Sequence, residues 1–113
     1  MTIEGFYRVE FGAAIPGAGG VVVVEGGRLR GADDQYLYSG TVSGPDERLH
    51  VEIIVKAYAP GAVSVFQTVG GTFQLTLTGN VTGSSFQVSG PAPFPGMPGI
   101  TVRGTRVADI DLT

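Results

Sequence analysis

The sequence predicts a single, nearly all-β domain, a curled antiparallel sheet or barrel, and three observations carry that expectation. Short runs of alternating apolar and polar residues recur along the chain, each bounded by Gly, Pro, Asn or Asp. No stretch carries the i, i+3, i+4 spacing of a long amphipathic helix. The 113 residues fit one domain, 42% hydrophobic and only 15% charged, with 19 glycines to supply turns and bends. Those glycines lack a period of three, which excludes a collagen-like chain.

The first strand runs from Glu4 to Phe11, with Gly5, Tyr7, Val9 and Phe11 on one face and Phe6, Arg8 and Glu10 on the other. Ala13 to Gly20 is a connection, because Pro16 and the nearby glycines disfavour both ladder pairing and helix. Val21 to Val24 is β-branched throughout and enters a tight hairpin at Gly26-Gly27, a pair able to adopt the positive φ angles of a two-residue turn. A strand begins again at Arg28 to Arg30, breaks near Gly31 to Asp34, and resumes from Gln35 to Val42 with Tyr36, Tyr38 and Val42 on one face. Ser43-Gly44-Pro45-Asp46 then has the composition of a turn.

Arg48 to Tyr58 alternates best. Leu49, Val51, Ile53, Val55 and Ala57 face one way, and His50, Glu52, Lys56 and Tyr58 the other, with Ile54 alone breaking the polar set. A loop at Ala59 to Ala62 leads into Val63 to Val69, which is too short for its period to decide between a strand and a helical turn. Thr72 to Thr78 alternates again, Gly79-Asn80 is expected to turn the chain into Val81, and a further strand covers Ser84 to Ser89. Pro91 to Pro98 is an extended, proline-dense connection before the last strand, Ile100 to Leu112. Hairpin connections between seven or eight such segments favour a closed barrel over a sandwich, and closure removes edges that invite aggregation.

Composition narrows the function. There are no cysteines, so disulfides, thiolate nucleophiles and cysteine zinc sites are excluded. Net charge is -3 with a pI near 4.9, and Lys56 and six scattered arginines form no basic face, which argues against direct nucleic-acid binding. The longest wholly apolar run, Val21 to Val24, is far short of the roughly 20 residues of a membrane-spanning helix. The first residues lack the basic start and apolar core of a secretion signal, so a cytoplasmic location is expected. Gly17 to Gly20 precedes a strand rather than a helix and no lysine follows, so it is no phosphate loop.

Few residues invite chemistry. His50 is the only histidine, and Glu52 shares its strand face, a pair able in principle to move protons, although strand alternation alone accounts for both positions. Asp33-Asp34 and Asp109 with Asp111 are possible oxygen ligands for a hard cation, but no EF-hand spacing accompanies them, and acidic residues near turns and strand ends have local reasons to be there. No catalytic, metal or cofactor site is therefore expected, and the protein is read as non-enzymatic. Pro91 to Pro98 fits an extended ligand for an aromatic groove, or, more commonly, a crossover loop. Phe6, Tyr36, Tyr38, Phe73 and Phe86 are candidates for lining a cavity or for packing the core, the commoner role of aromatics.

The order of motifs adds to this. Glu4 to Phe11, then Gly19 to Asp33 through the valine run and Glu25-Gly26-Gly27-Arg28, then Tyr36 to Gly40, Ser64-Val65-Phe66 and Phe73 to Gly79, resembles the GrlR-like family over nearly the whole chain. That family is named for a negative regulator of type III secretion, and the resemblance implies a bacterial protein with a lipocalin-like antiparallel barrel that forms homodimers. It also implies a regulatory role in which a transcriptional activator is sequestered through an acidic surface loop. The corresponding segment here is Ser43 to Arg48, where Asp46 and Glu47 are the residues that match. The expectation is thus a non-enzymatic protein-interaction module, with carriage of a small apolar ligand inside the barrel as the alternative.

Overall fold

Because successive strand residues point to opposite sides, each alternating run has one apolar row to bury, and a sheet that curls until its edges meet buries all of those rows at once. The computed structural model describes residues 3–12, 18–44, 48–66 and 68–112. The described residues form eight strands, β1 (Gly5–Gly12), β2 (Ala18–Glu25), β3 (Arg28–Ala32), β4 (Tyr36–Ser43), β5 (Arg48–Ala57), β6 (Thr72–Thr82), β7 (Ser85–Gly90) and β8 (Ile100–Ala108). Each pairs antiparallel with the next, and β8 pairs back onto β1, so the protein is a closed, all-β, lipocalin-like barrel. No helix long and apolar enough to cross a membrane occurs among the described residues.

The meander sorts its connections by end. Tight turns at Gly26-Gly27, with φ of +61° and +77°, and at Gly83-Ser84 lie at one end. At the other end, called the mouth here, are the turn at 33–35 and the long connections 58–71 and 91–99. Inside, Leu77 and Phe66 are fully buried, and Tyr7 packs on Phe86 with ring centres 5.1 Å apart.

Several boundaries differ from the sequence reading, each for a tertiary reason. Gly79-Asn80 is not a turn: β6 continues to Thr82, and Gly83, at φ +61°, turns the chain instead. Gly79 faces inward, where a Cβ would overlap the Gln87 carbonyl oxygen, so this glycine serves the close approach of β6 and β7 where the wall coils. The last strand stops at Ala108 rather than Leu112, because its partner β1 runs out at Phe6 opposite Ala108. A register shift between Phe6 and Tyr7 leaves Val107 as an extra, outward residue there. The break expected over 31–34 shrinks to 33–35, since Gly31 pairs with Val22 and Tyr38. At its start β2 takes in Gly19 and Gly20, laddered to Glu10 and Val9.

Candidate functional site

The mouth is organised by Asp33. In an Asx turn, Asp33 Oδ1 accepts the amide protons of Gln35 at 2.7 Å and Tyr36 at 2.6 Å, which reverses the chain from β3 into β4. Its other oxygen, Oδ2, accepts the hydroxyl of Tyr38, two residues along the inner face of β4. Burial, reinforced by the Asp33 carboxylate, pushes the Tyr38 phenol far above its ordinary value. The Tyr36 phenol is also raised, by burial and by Asp33, against a smaller lowering by a hydrogen bond with Ser64. The same turn holds the long β5–β6 connection, because Tyr58 donates its hydroxyl to the Asp33 carbonyl at 2.7 Å and its amide to the Gln35 carbonyl at 3.0 Å.

Beneath that connection lies an aromatic nest. Phe66 meets Phe73 and Phe94 edge-on, with centroids 5.7 and 5.9 Å away, and Phe73 and Phe94 are 5.5 Å apart. Phe94 comes from the proline-dense crossover, so that segment packs over the barrel mouth. Below the nest a cavity of about 100 Å³ extends down the barrel, lined almost wholly by apolar side chains, with Asp33, Gln35 and Ser64 among its few polar neighbours. Sites for small molecules usually span about 300–1,000 Å³, so the barrel interior is chiefly a packed core.

The outside of the barrel is divided. Near the mouth, Val21 pairs with Ala32 and Ala32 with Leu37, and Ile54 lies diagonally across from Leu37 on β5. Val21, Leu37 and Ile54 are 51%, 45% and 52% exposed, and Val23 of the same outer face is half-buried. Tyr58, Val63 and Val69 on the adjacent connection are also exposed, which gives this side of the molecule a concentration of bare apolar side chains. The opposite side is polar: outward Thr78, Asn80, Thr82, Ser85, Gln87 and Arg103 line a shallow open depression of about 710 Å³ over β6–β8.

His50 and Glu52 do share a face, with Nε2 and Oε2 3.6 Å apart, but both are about half exposed and no third polar group is bonded to them among the described residues. Asp109 lies beyond β8 and forms an ion pair with Arg106 at 2.6 Å, so it does not share a strand face with Asp111. Asp33 is committed to the turn and to Tyr38, and no group of three or more His, Asp or Glu is placed to hold a metal ion among the described residues.

Of the aromatics singled out from the sequence, Tyr36, Tyr38, Phe73 and Phe86 line the cavity. Phe6 lies on the outer face of β1, because the inward row of that strand is Gly5, Tyr7 and Val9. Asp46 and Glu47 fall outside the described residues. Phe11, Phe66 and Phe94 complete the aromatic lining of the mouth, and no sequence pattern signals the last two, which lie on irregular connections. Ile54, in contrast, announced itself by breaking the polar face of its strand. No family model matches the chain, and no curated protein matches it.

Proposed function

We propose that this protein is a non-enzymatic interaction module of the GrlR-like kind, which acts in the cytoplasm through the outside of its barrel. In this reading it pairs with a second copy and holds a transcriptional activator out of use. The observation that carries the reading is the apolar patch of Val21, Leu37 and Ile54, about half exposed on one barrel wall. Covering such a side chain fully is worth up to about 1.5–3 kcal/mol relative to exposure, so three that are already half-buried offer a few kcal/mol to a partner. The order of motifs from Glu4 to Gly79 supplies the class of partner. The small volume of the interior cavity, about 100 Å³, supports the same reading, since it leaves the surface as the larger recognition area.

Sedimentation velocity at micromolar concentration tests the pairing, with Leu37→Glu/Ile54→Glu as the variant. The wild type is expected to sediment as a dimer and the variant as a monomer with unchanged circular dichroism. The activator is sought by affinity capture from the native cell at near-physiological salt, then re-formed from purified components. A monomeric wild type that also recovers no transcriptional regulator would refute the reading.

A further inference from the structure

Strand β6 departs from local preference at Asn80. Asparagine is disfavoured within strands, yet Asn80 lies inside an 11-residue strand, exposed on the outer face. The close approach to β7 accounts for Gly79 beside it, but no turn accounts for Asn80 and no hydrogen bond of its side chain does so among the described residues. A residue held against the preference of its own element is expected where function requires it.

Asn80 opens a polar row that crosses three strands. It pairs with Gln87 on β7, and Gln87 pairs with Arg103 on β8, so two amides and a guanidinium lie side by side over about 10 Å. Hydroxyls flank this row, with Ser85 between Thr82 and Thr105 on one side and Ser89 beside Thr78 on the other. All of these side chains are exposed. Among the described residues, the only side-chain hydrogen bond that any of them makes is from Ser85 Oγ to the Thr82 carbonyl at 3.1 Å. Arg103 lies opposite Glu10 of β1 but forms no ion pair with it. The donors and acceptors of this face are therefore directed outward.

The depression over these rows, about 710 Å³, has the size of small-molecule sites, about 300–1,000 Å³, and the backbone at Gly79 and Gly104 forms part of its floor. Protein partners are anchored by aromatic and apolar side chains, and single-stranded nucleic acids by aromatic stacking; Phe86, the one aromatic of the lining, belongs to the buried inward row. Hydroxyl and amide side chains together both donate and accept, which matches a molecule rich in hydroxyl groups. The one cation of the lining, Arg103, offers a planar fork to a carboxylate.

We propose that the outer face of β6–β8 binds an acidic saccharide of the uronic-acid type. Arg103 holds its carboxylate, and Gln87 and Asn80 hold its ring hydroxyls. This face is separate from Val21, Leu37 and Ile54, so the site does not depend on the reading of that wall.

Trigalacturonic acid is the probe, titrated into the full chain by calorimetry and by amide NMR. Saturable binding at millimolar concentration or below is expected, with shifts concentrated on β6–β8. Arg103→Gln, an exposed change that leaves the core untouched, is expected to weaken binding at least tenfold, and Gln87→Ala at least threefold. The methyl ester of the probe keeps the hydroxyls but loses the charge. It is expected to bind at least tenfold more weakly than the acid, and equally to the wild type and Arg103→Gln. Glu10→Gln removes a negative charge beside Arg103 and is expected to bind the acid about twofold more tightly. Leu37→Glu/Ile54→Glu is expected to bind as the wild type does, which separates this test from that of the apolar wall. No saturable binding by the wild type would overturn the proposal, as would undiminished binding by a folded Arg103→Gln protein or equal affinity for acid and ester.

Discussion

Replacing Asp33 with Ala removes three side-chain hydrogen bonds and strands the Tyr38 hydroxyl inside the mouth. Loss of a capping carboxylate from two amide protons costs about 0.5–2 kcal/mol, by analogy with helix caps. A buried hydroxyl left without a partner costs about 1–3 kcal/mol more. Asp33 is only half-buried, so water relieves part of the first loss, and the expected total is about 3 kcal/mol, or roughly 10 °C in Tm for a chain of this size. The assay is urea unfolding followed by circular dichroism at constant pH. The mechanism makes a sharper demand on the pair: in a Tyr38→Phe background no hydroxyl is stranded, so Asp33→Ala should cost about 1–2 kcal/mol less there. A loss below about 0.5 kcal/mol, or an equal loss in both backgrounds, would refute the assignment of Asp33 as the anchor of the mouth.

Other consequences are open to the same methods. A Cβ on Gly104 would run into the ring of Phe86, which itself packs on Tyr7, so Gly104→Ala should destabilise by about 1–3 kcal/mol and disturb aromatic near-UV circular dichroism. The Tyr38 phenol holds its proton more tightly folded than unfolded, so the stability it contributes is complete below about pH 10 and declines as pH rises above that value. The urea midpoint should therefore fall between about pH 10 and 11.5, and fall less in Tyr38→Phe. His50→Ala removes only an exposed contact with Glu52 and should change stability by less than about 0.5 kcal/mol in urea unfolding.

Alternation made the barrel legible before its structure, because burial of one face acts on every second residue: the inward row Leu49, Val51, Ile53, Val55 and Ala57 of β5 is the row read from the sequence. Gly26-Gly27 was equally legible, since a two-residue hairpin makes a local demand on φ. Gly79 was misread for the same reason that Gly26 was read correctly: glycine marks both a turn and a close approach of strands, and only the neighbouring β7 distinguishes them. Alternation places the faces of Glu4 to Phe11 correctly and puts Phe6 outside, so its residue type alone, against its own strand's period, makes it a lining candidate. The mouth was the least legible part. Asp33 carries a turn signal, but its bond to Tyr38 and the hold of Tyr58 on its carbonyl join β3, β4 and the β5–β6 connection. Phe66 and Phe94, 28 residues apart in sequence, meet from two different connections, a pairing that only tertiary packing creates.

The outer wall near the mouth is where a partner is expected, and hydrogen–deuterium exchange reads that wall directly. Compared between dilute protein and protein concentrated enough to associate, protection should rise over β4 and β5 around Leu37 and Ile54 and over β2 at Val21, while the β6–β8 face stays unchanged. Protection confined to β6–β8, or no change on association, would contradict the assignment of the apolar wall as the interaction surface.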